Sequence, residues 1–191
     1  MPSPDLPRDA ERLYDASEVD AAIDRLAVRM TIDLQDVRPI LVCVMNGGLP
    51  FTAALMRRFA FPLELDHVHA VRYRGGSAVS GKVEAPRGGQ LEVRVDLTRD
   101  IVGRVVVLAD DVLDRGTTLA GIAARISRAG ARRLYTAVLV NKRVPGRAFA
   151  TDYEALDAPD RYLVGCGMDC GGWFRNLNGI YALPDQEPPT P

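Results

Sequence analysis

"LADDVLDRGTTLAG", residues 108–121, closes the apolar run Val105-Val106-Val107-Leu108 with three aspartates inside five positions. A continuous β-branched run of this kind reads as a strand buried on both faces. Acids crowded at its end repel one another unless a positive partner joins them. Asp110 and Asp111 stand where the strand is expected to end, so they can turn to different partners, and Asp114 opens the following turn. Gly116 permits a positive φ or close approach of a ligand to the backbone. Thr117 and Thr118 begin a helix whose free N–H groups and dipole favour an anion. The stretch thus offers carboxylates at one end and an anion cradle with hydroxyl donors at the other. A sugar phosphate meets both demands, with ribose hydroxyls or their Mg2+ on the acids and the phosphate on the helix start. The plain alternative is a solvated helix-capping turn.

Two further runs resemble the first strand. "PILVCVM" (39–45) leads into Asn46-Gly47-Gly48, and "RLYTAVLV" (133–140) leads into "NKRVPGR". Helical patterns lie between them. In "SEVDAAIDRLAVRM", Ser17 can cap with Asp20 three residues on, and Val19, Ala22, Ile23, Leu26, Ala27 and Met30 share a face. "PFTAALMRRF" resumes as a helix with Pro50 in its first turn, and "TTLAGIAARISRAG" ends at Gly130. "LELDHVHAVRY" (63–73) and "LEVRVDL" (91–97) alternate like strands, and the rest to about Leu183 reads as short strands and turns. The Gly- and Ser-rich stretch between those two strands (74–90) reads as a flap or hairpin tip.

Strand–helix–strand alternation around buried runs predicts an α/β fold with a mostly parallel central sheet flanked by helices. Ligands in such sheets sit at the carboxyl ends of the strands, where strand order reverses. Loops 45–48, 109–118 and 141–145 should therefore share one edge.

With 191 residues, the chain is most simply one domain spanning 1–191, with 1–12 and 185–191 as loose termini. A net charge of −1 gives no reason to expect nucleic-acid or membrane partners. The acidic, proline-rich start is unlike a signal peptide, and Cys43, Cys166 and Cys170 are an odd set, so a cytoplasmic protein with reduced thiols is expected.

"VVVLADDVLDRGTTLAG" resembles the phosphoribosyl-pyrophosphate (PRPP) motif of type I phosphoribosyltransferases, and residues 17–183 resemble the hypoxanthine-guanine branch in order and spacing. The resemblance implies the type I fold, with a flexible closing loop and a small hood formed by terminal segments. It also implies a glycosyltransferase of purine salvage, which makes IMP or GMP from PRPP and a 6-oxopurine with Mg2+ as cofactor, as a homodimer or homotetramer.

Residue by residue, the resemblance gives Asp110 and Asp111 the ribose hydroxyls, directly or through the metal, and places Asp169 in the second metal shell. Asp114 becomes the acid at purine N7, with Asp114, Arg115, Gly116, Thr117 and Thr118 around the 5′-phosphate. Asn46 and Gly47 form the pyrophosphate loop, where the bond before Asn46 is often cis in the family, and Arg175 grips pyrophosphate. Lys142 donates to the 6-oxo oxygen, Tyr162 stacks on the base, the Leu163 backbone reads its edge, and Tyr73 sits in the closing loop. Three positions depart from the family pattern: Asn46 replaces a common Lys or Arg, Asp110 a usual Glu, and Arg115 a small or hydroxylated residue. They bear on pyrophosphate affinity and leave every group that the chemistry requires.

Other readings are weaker. "GSAVSGKV" (76–83) nearly spells a P-loop, but Val83 stands where Ser or Thr should hold Mg2+. "GCGMDC" (165–170) lacks the third glycine of a dinucleotide fingerprint. Cys166 and Cys170 would need Cys43, His67 or His69 to complete a zinc site. Lys142 as a surface lysine, Tyr162 as core packing and Trp173 as core or interface are the plain readings at those positions. Rival functions are a xanthine-preferring relative and a PRPP- or nucleotide-sensing regulator on the same fold.

Overall fold

The computed structural model describes residues 5–72, 91–147 and 149–184. Tyr73, the stretch 74–90 with its P-loop-like segment, and the tail from 185 lie outside them. The main sheet takes β2 (Ile40–Met45), β3 (Glu64–Arg72), β4 (Leu91–Val95), β5 (Val105–Leu113), β6 (Arg133–Lys142) and β7 (Tyr153–Ala158) in the order β4-β3-β2-β5-β6-β7. Only the β3–β4 pairing is antiparallel. A second sheet, β1 (Glu11–Tyr14), β9 (Ile180–Ala182) and β8 (Leu163–Val164), joins the two ends of the chain into the hood. Glu11 and Arg12, expected in a loose terminus, are thus held in a strand.

Period-two alternation sorts the buried strands into two cores. Leu41, Val105, Val107 and Ala109 face α1 (Ala16–Leu34) and α2 (Leu49–Met56). Ile40, Val42, Val44, Val106 and Leu108 face α3 (Thr117–Arg128) through Leu119, Ile122 and Ile126. Both faces are covered, which is why these strands read as unbroken apolar runs and not as alternating ones. The predicted face of α1 is buried, but its cap is Asp15. Its carboxylate accepts from the Glu18 N–H at 2.9 Å, Glu18 returns a bond to the Asp15 N–H, and Ser17 only donates to Asp15. That reciprocal pair satisfies two orphan N–H groups where Ser17 would have satisfied one.

β5 and β6 run further than the apolar residues alone indicate. Their pairing extends to Leu113↔Asn141, which places Asp110 and Asp111 inside a strand and Lys142 at a strand's last position. β7, hidden among the expected short strands, is a full parallel member of the sheet.

Within β3, a buried acid acts as a staple. Asp66 accepts the N–H groups of His67, Thr98 and Arg99, each at 2.8 Å, and the Thr98 hydroxyl at 3.1 Å. Burial alone would raise its pKa, but these donors favour the charged form more and leave it below the usual carboxylate value.

Candidate active site

Strand order reverses between β2 and β5, and the loops after these strands and β6 open at one edge, as the alternation predicted. On the β2 side the Met45–Asn46 bond is cis, in line with the family resemblance. Gly47 lies so close to β5 that a Cβ there would stand 1.9 Å from Asp111 Oδ2. Above it, a Cβ on Gly167 would stand 2.0 Å from the Gly47 carbonyl oxygen. No side chain fits at either position, so the hood segment "GCGMDC" rests directly on the pyrophosphate-loop candidate. Its glycines serve close packing, which the sequence reading did not find; their link to Gly47 is visible only in three dimensions.

Asp110 and Asp111 are adjacent, buried and short of donors. Asp110 Oδ1 accepts the Asp111 N–H at 2.9 Å, and Asp111 Oδ1 accepts the Val112 N–H at 2.7 Å. Burial, and then the Asp111 charge, push the Asp110 carboxyl well above its ordinary pKa. Burial also raises Asp111, against the opposing pull of its hydrogen bonds and of the Arg175 guanidinium. Two desolvated carboxylates with no ion pair among the described residues suit a divalent ion, and Mg2+ typically takes one or two carboxylates with the substrate's own oxygens.

Asp169 has a cationic partner of its own. Its Oδ1 lies 2.6 Å from Arg175 Nη2, and its Oδ2 accepts the Gly172 N–H at 2.7 Å. Arg175 also donates to the Gly167 carbonyl at 2.6 Å. Asp169 therefore anchors Arg175 near Asp111, and the predicted residues Gly47, Asp111, Asp169 and Arg175 do come together.

The other half of the cleft carries Asp114 and Lys142. Lys142 Nζ stands 3.6 Å from Asp114 Oδ2, with the lysine nearly buried and the aspartate half exposed. A surface lysine is thereby excluded. Gly116 adopts φ +73° at the start of α3, which turns the chain so that exposed Arg115 and Thr117 flank the helix N-terminus, with Thr118 beside them. Tyr162 is 45% exposed, so it is no core residue, and its hydroxyl donates to the Asp169 carbonyl at 3.0 Å. Leu163 buries its side chain in β8. Trp173 is 43% exposed and does not belong to the core.

One arginine escaped the sequence reading. Arg147 donates to the backbone carbonyls of Leu113, Asp114 and Lys142, at the ends of β5 and β6. In "NKRVPGR" it looks like any loop cation.

The phosphoribosyl transferase domain model matches residues 9–159. The chain belongs to the phosphoribosyltransferase family. Among these phosphoribosyltransferases, the hypoxanthine-guanine enzyme of Streptococcus pneumoniae is 30% identical over 176 residues, covering 91% of this chain and 93% of the relative. The structure of a hypoxanthine phosphoribosyltransferase from Staphylococcus aureus superposes with a TM-score of 0.80 at 26% identity, covering 91% of each chain. A hypoxanthine phosphoribosyltransferase variant from Trypanosoma cruzi, complexed with the product IMP, gives 0.79 at 27% identity over 95% of each chain. These similarities extend past residue 159 and so take in the hood with Tyr162, Asp169 and Arg175.

Proposed function

We propose that this phosphoribosyltransferase serves purine salvage, transferring the phosphoribosyl group of PRPP to N9 of hypoxanthine or guanine. The products are IMP or GMP and pyrophosphate. The observation that carries this reading is the Asp114–Lys142 pair, 3.6 Å apart beside the buried acids of β5. An ammonium and a carboxylate at that spacing match the 6-oxo oxygen and the N7 proton of one purine face. A 6-amino group would meet the lysine donor to donor, which disfavours adenine.

In this reading Lys142 donates to the 6-oxo oxygen, Tyr162 stacks on the ring and the Leu163 backbone meets its edge. The Asp114 loop, with Arg115, Gly116, Thr117 and Thr118, takes the 5′-phosphate at the start of α3. Asp110 and Asp111 hold the ribose hydroxyls, and Asp169 keeps Arg175 aimed at the pyrophosphate beside Asn46 and Gly47. Asp110 and Asp111 are the residues that would hold Mg2+, which would neutralise charge on PRPP. The base nitrogen forms its bond to C1′ with inversion as the C1′–pyrophosphate bond breaks. Asp114 takes up or stabilises the purine proton, and Arg175 meets the departing negative charge. The enzyme is cytoplasmic and homo-oligomeric in this proposal, and its three cysteines are free, buried thiols.

A base panel tests the proposal. Purified protein with PRPP and Mg2+ is offered hypoxanthine, guanine, xanthine, adenine and uracil, and nucleotide formation is followed by absorbance. Product from hypoxanthine and guanine is expected. A rate with xanthine above both would move the assignment to a xanthine-preferring enzyme. No product from any base, with PRPP still bound, would point to a regulator.

A further inference from the structure

The pairing of β5 with β6 stops at Leu113↔Asn141, one residue short of both Asp114 and Lys142. Beyond that point β7 still pairs with Lys142 through Ala158, but no β5–β6 ladder bond ties the end of β5 to the end of β6, yet the two side chains meet at 3.6 Å. Arg147 fills the gap. Its Nη1 donates to the carbonyls of Leu113 at 3.1 Å, Asp114 at 3.1 Å and Lys142 at 2.8 Å. Nε donates to the Phe149 carbonyl at 3.0 Å, and Nη2 to Asn141 Oδ1 at 2.6 Å. Asn141 is oriented in turn by its amide donating to Glu154 Oε2 at 2.5 Å, on the next strand.

We infer that Arg147 is a positioning residue for the transfer reaction, setting the spacing and orientation of Asp114 and Lys142 by clamping the backbone of both loops with one guanidinium. The inference rests on the purine-transfer reading above. Only a planar fork of five donors reaches carbonyls on two strands, the following loop and a side-chain amide at once; a lysine ammonium brings three donors from a single point. Every hydrogen bond that Arg147 makes among the described residues goes to a carbonyl or amide oxygen. Its charge therefore lies along the carbonyl dipoles of the very residues whose side chains face the base. The bracing is one-sided: none of these bonds reaches Asp110, Asp111, Gly47 or Arg175. Its loss should disturb base capture and chemistry more than PRPP binding, which meets the clamp only at the start of the 5′-phosphate loop.

The test is steady-state kinetics on Arg147→Gln and Arg147→Lys with hypoxanthine, beside calorimetric titration of PRPP with Mg2+. Displacing reacting groups by about 1 Å costs on the order of 10²-fold in rate. Arg147→Gln is expected to lose about that much kcat and to raise KM for hypoxanthine about tenfold, with PRPP affinity within threefold of wild type. Arg147→Lys should recover only a small part of the loss. Asn141→Ala, which removes the anchor of Nη2 and leaves the arginine, gives the same split in weaker form and serves if Arg147→Gln does not fold. Kinetics within threefold of wild type in the glutamine variant, or in Asn141→Ala where that variant does not fold, would overturn the inference. So would a loss of PRPP affinity parallel to that of the base, which marks a general scaffold role. The wild-type control separates this from the parent reading: an active wild type with an unaffected variant defeats the clamp alone, and an inactive wild type defeats both.

Discussion

Asp66 and the Asp110–Asp111 pair are both buried aspartates on the same sheet, and they titrate in opposite directions. Asp66 receives three backbone N–H groups and a hydroxyl, and its pKa is lowered. Among the described residues each member of the β5 pair accepts a single neighbouring N–H, and both pKa values are raised. The fold itself satisfies the first acid. It leaves the second pair short of positive charge at the mouth of a cleft, where a substrate and its metal can supply it. Burial alone therefore does not mark a functional carboxylate; the shortage of donors does.

That contrast predicts separable losses. The largest concerns Asp114, the half-exposed acid of the same loop, whose replacement removes a proton-handling group and little packing. Asp114→Asn should lower turnover by about 10²–10⁴-fold while PRPP binding holds, as read by initial rates and titration. Near-normal turnover would remove its assigned role.

Asp66→Ala should do the reverse, leaving buried donors unmatched at a cost of about 2–3 kcal/mol in chemical denaturation, with kcat little changed. Acid sharpens the point. Because the folded pKa of Asp66 is depressed, its stabilisation is present above the ordinary carboxylate pKa and is lost as pH falls through the lowered folded value. The stability gap between wild type and Asp66→Asn should therefore close on acidification below about pH 4. A gap that stays constant would mean that the charged form of Asp66 contributes nothing.

Much of this site was legible before any coordinates. The apolar runs fixed three strands because doubly buried strands admit few polar residues. The acids stood out because charge at the end of such a run needs a reason, whereas Lys142 and Arg175 stood out only through the family resemblance. What escaped was what depends on partners distant in sequence. The cap is a local exception: Asp15 with Glu18 three residues on spells a capping box, and Ser17 with Asp20 was the pair read in its place. Gly167 matters through its approach to Gly47, some 120 residues away in the chain. Arg147 acts on carbonyl groups, which every residue carries and no pattern reveals. The strand extensions through Asp111 and Lys142 were hidden because apolar patterning ends before the hydrogen-bond ladder does.

The most direct measurement is thermal unfolding of wild type and Asp111→Asn, each with and without PRPP and Mg2+. Ligand at about 100 times its Kd should stabilise wild type by about 2.7 kcal/mol. If the β5 acids are kept for a cationic partner, Asp111→Asn without ligand should melt at or above the wild-type temperature, since a buried repulsion is relieved, and the ligand shift should largely vanish. A variant that melts well below wild type yet keeps the full ligand shift would contradict the account, placing Asp111 with Asp66 among the acids that hold the fold.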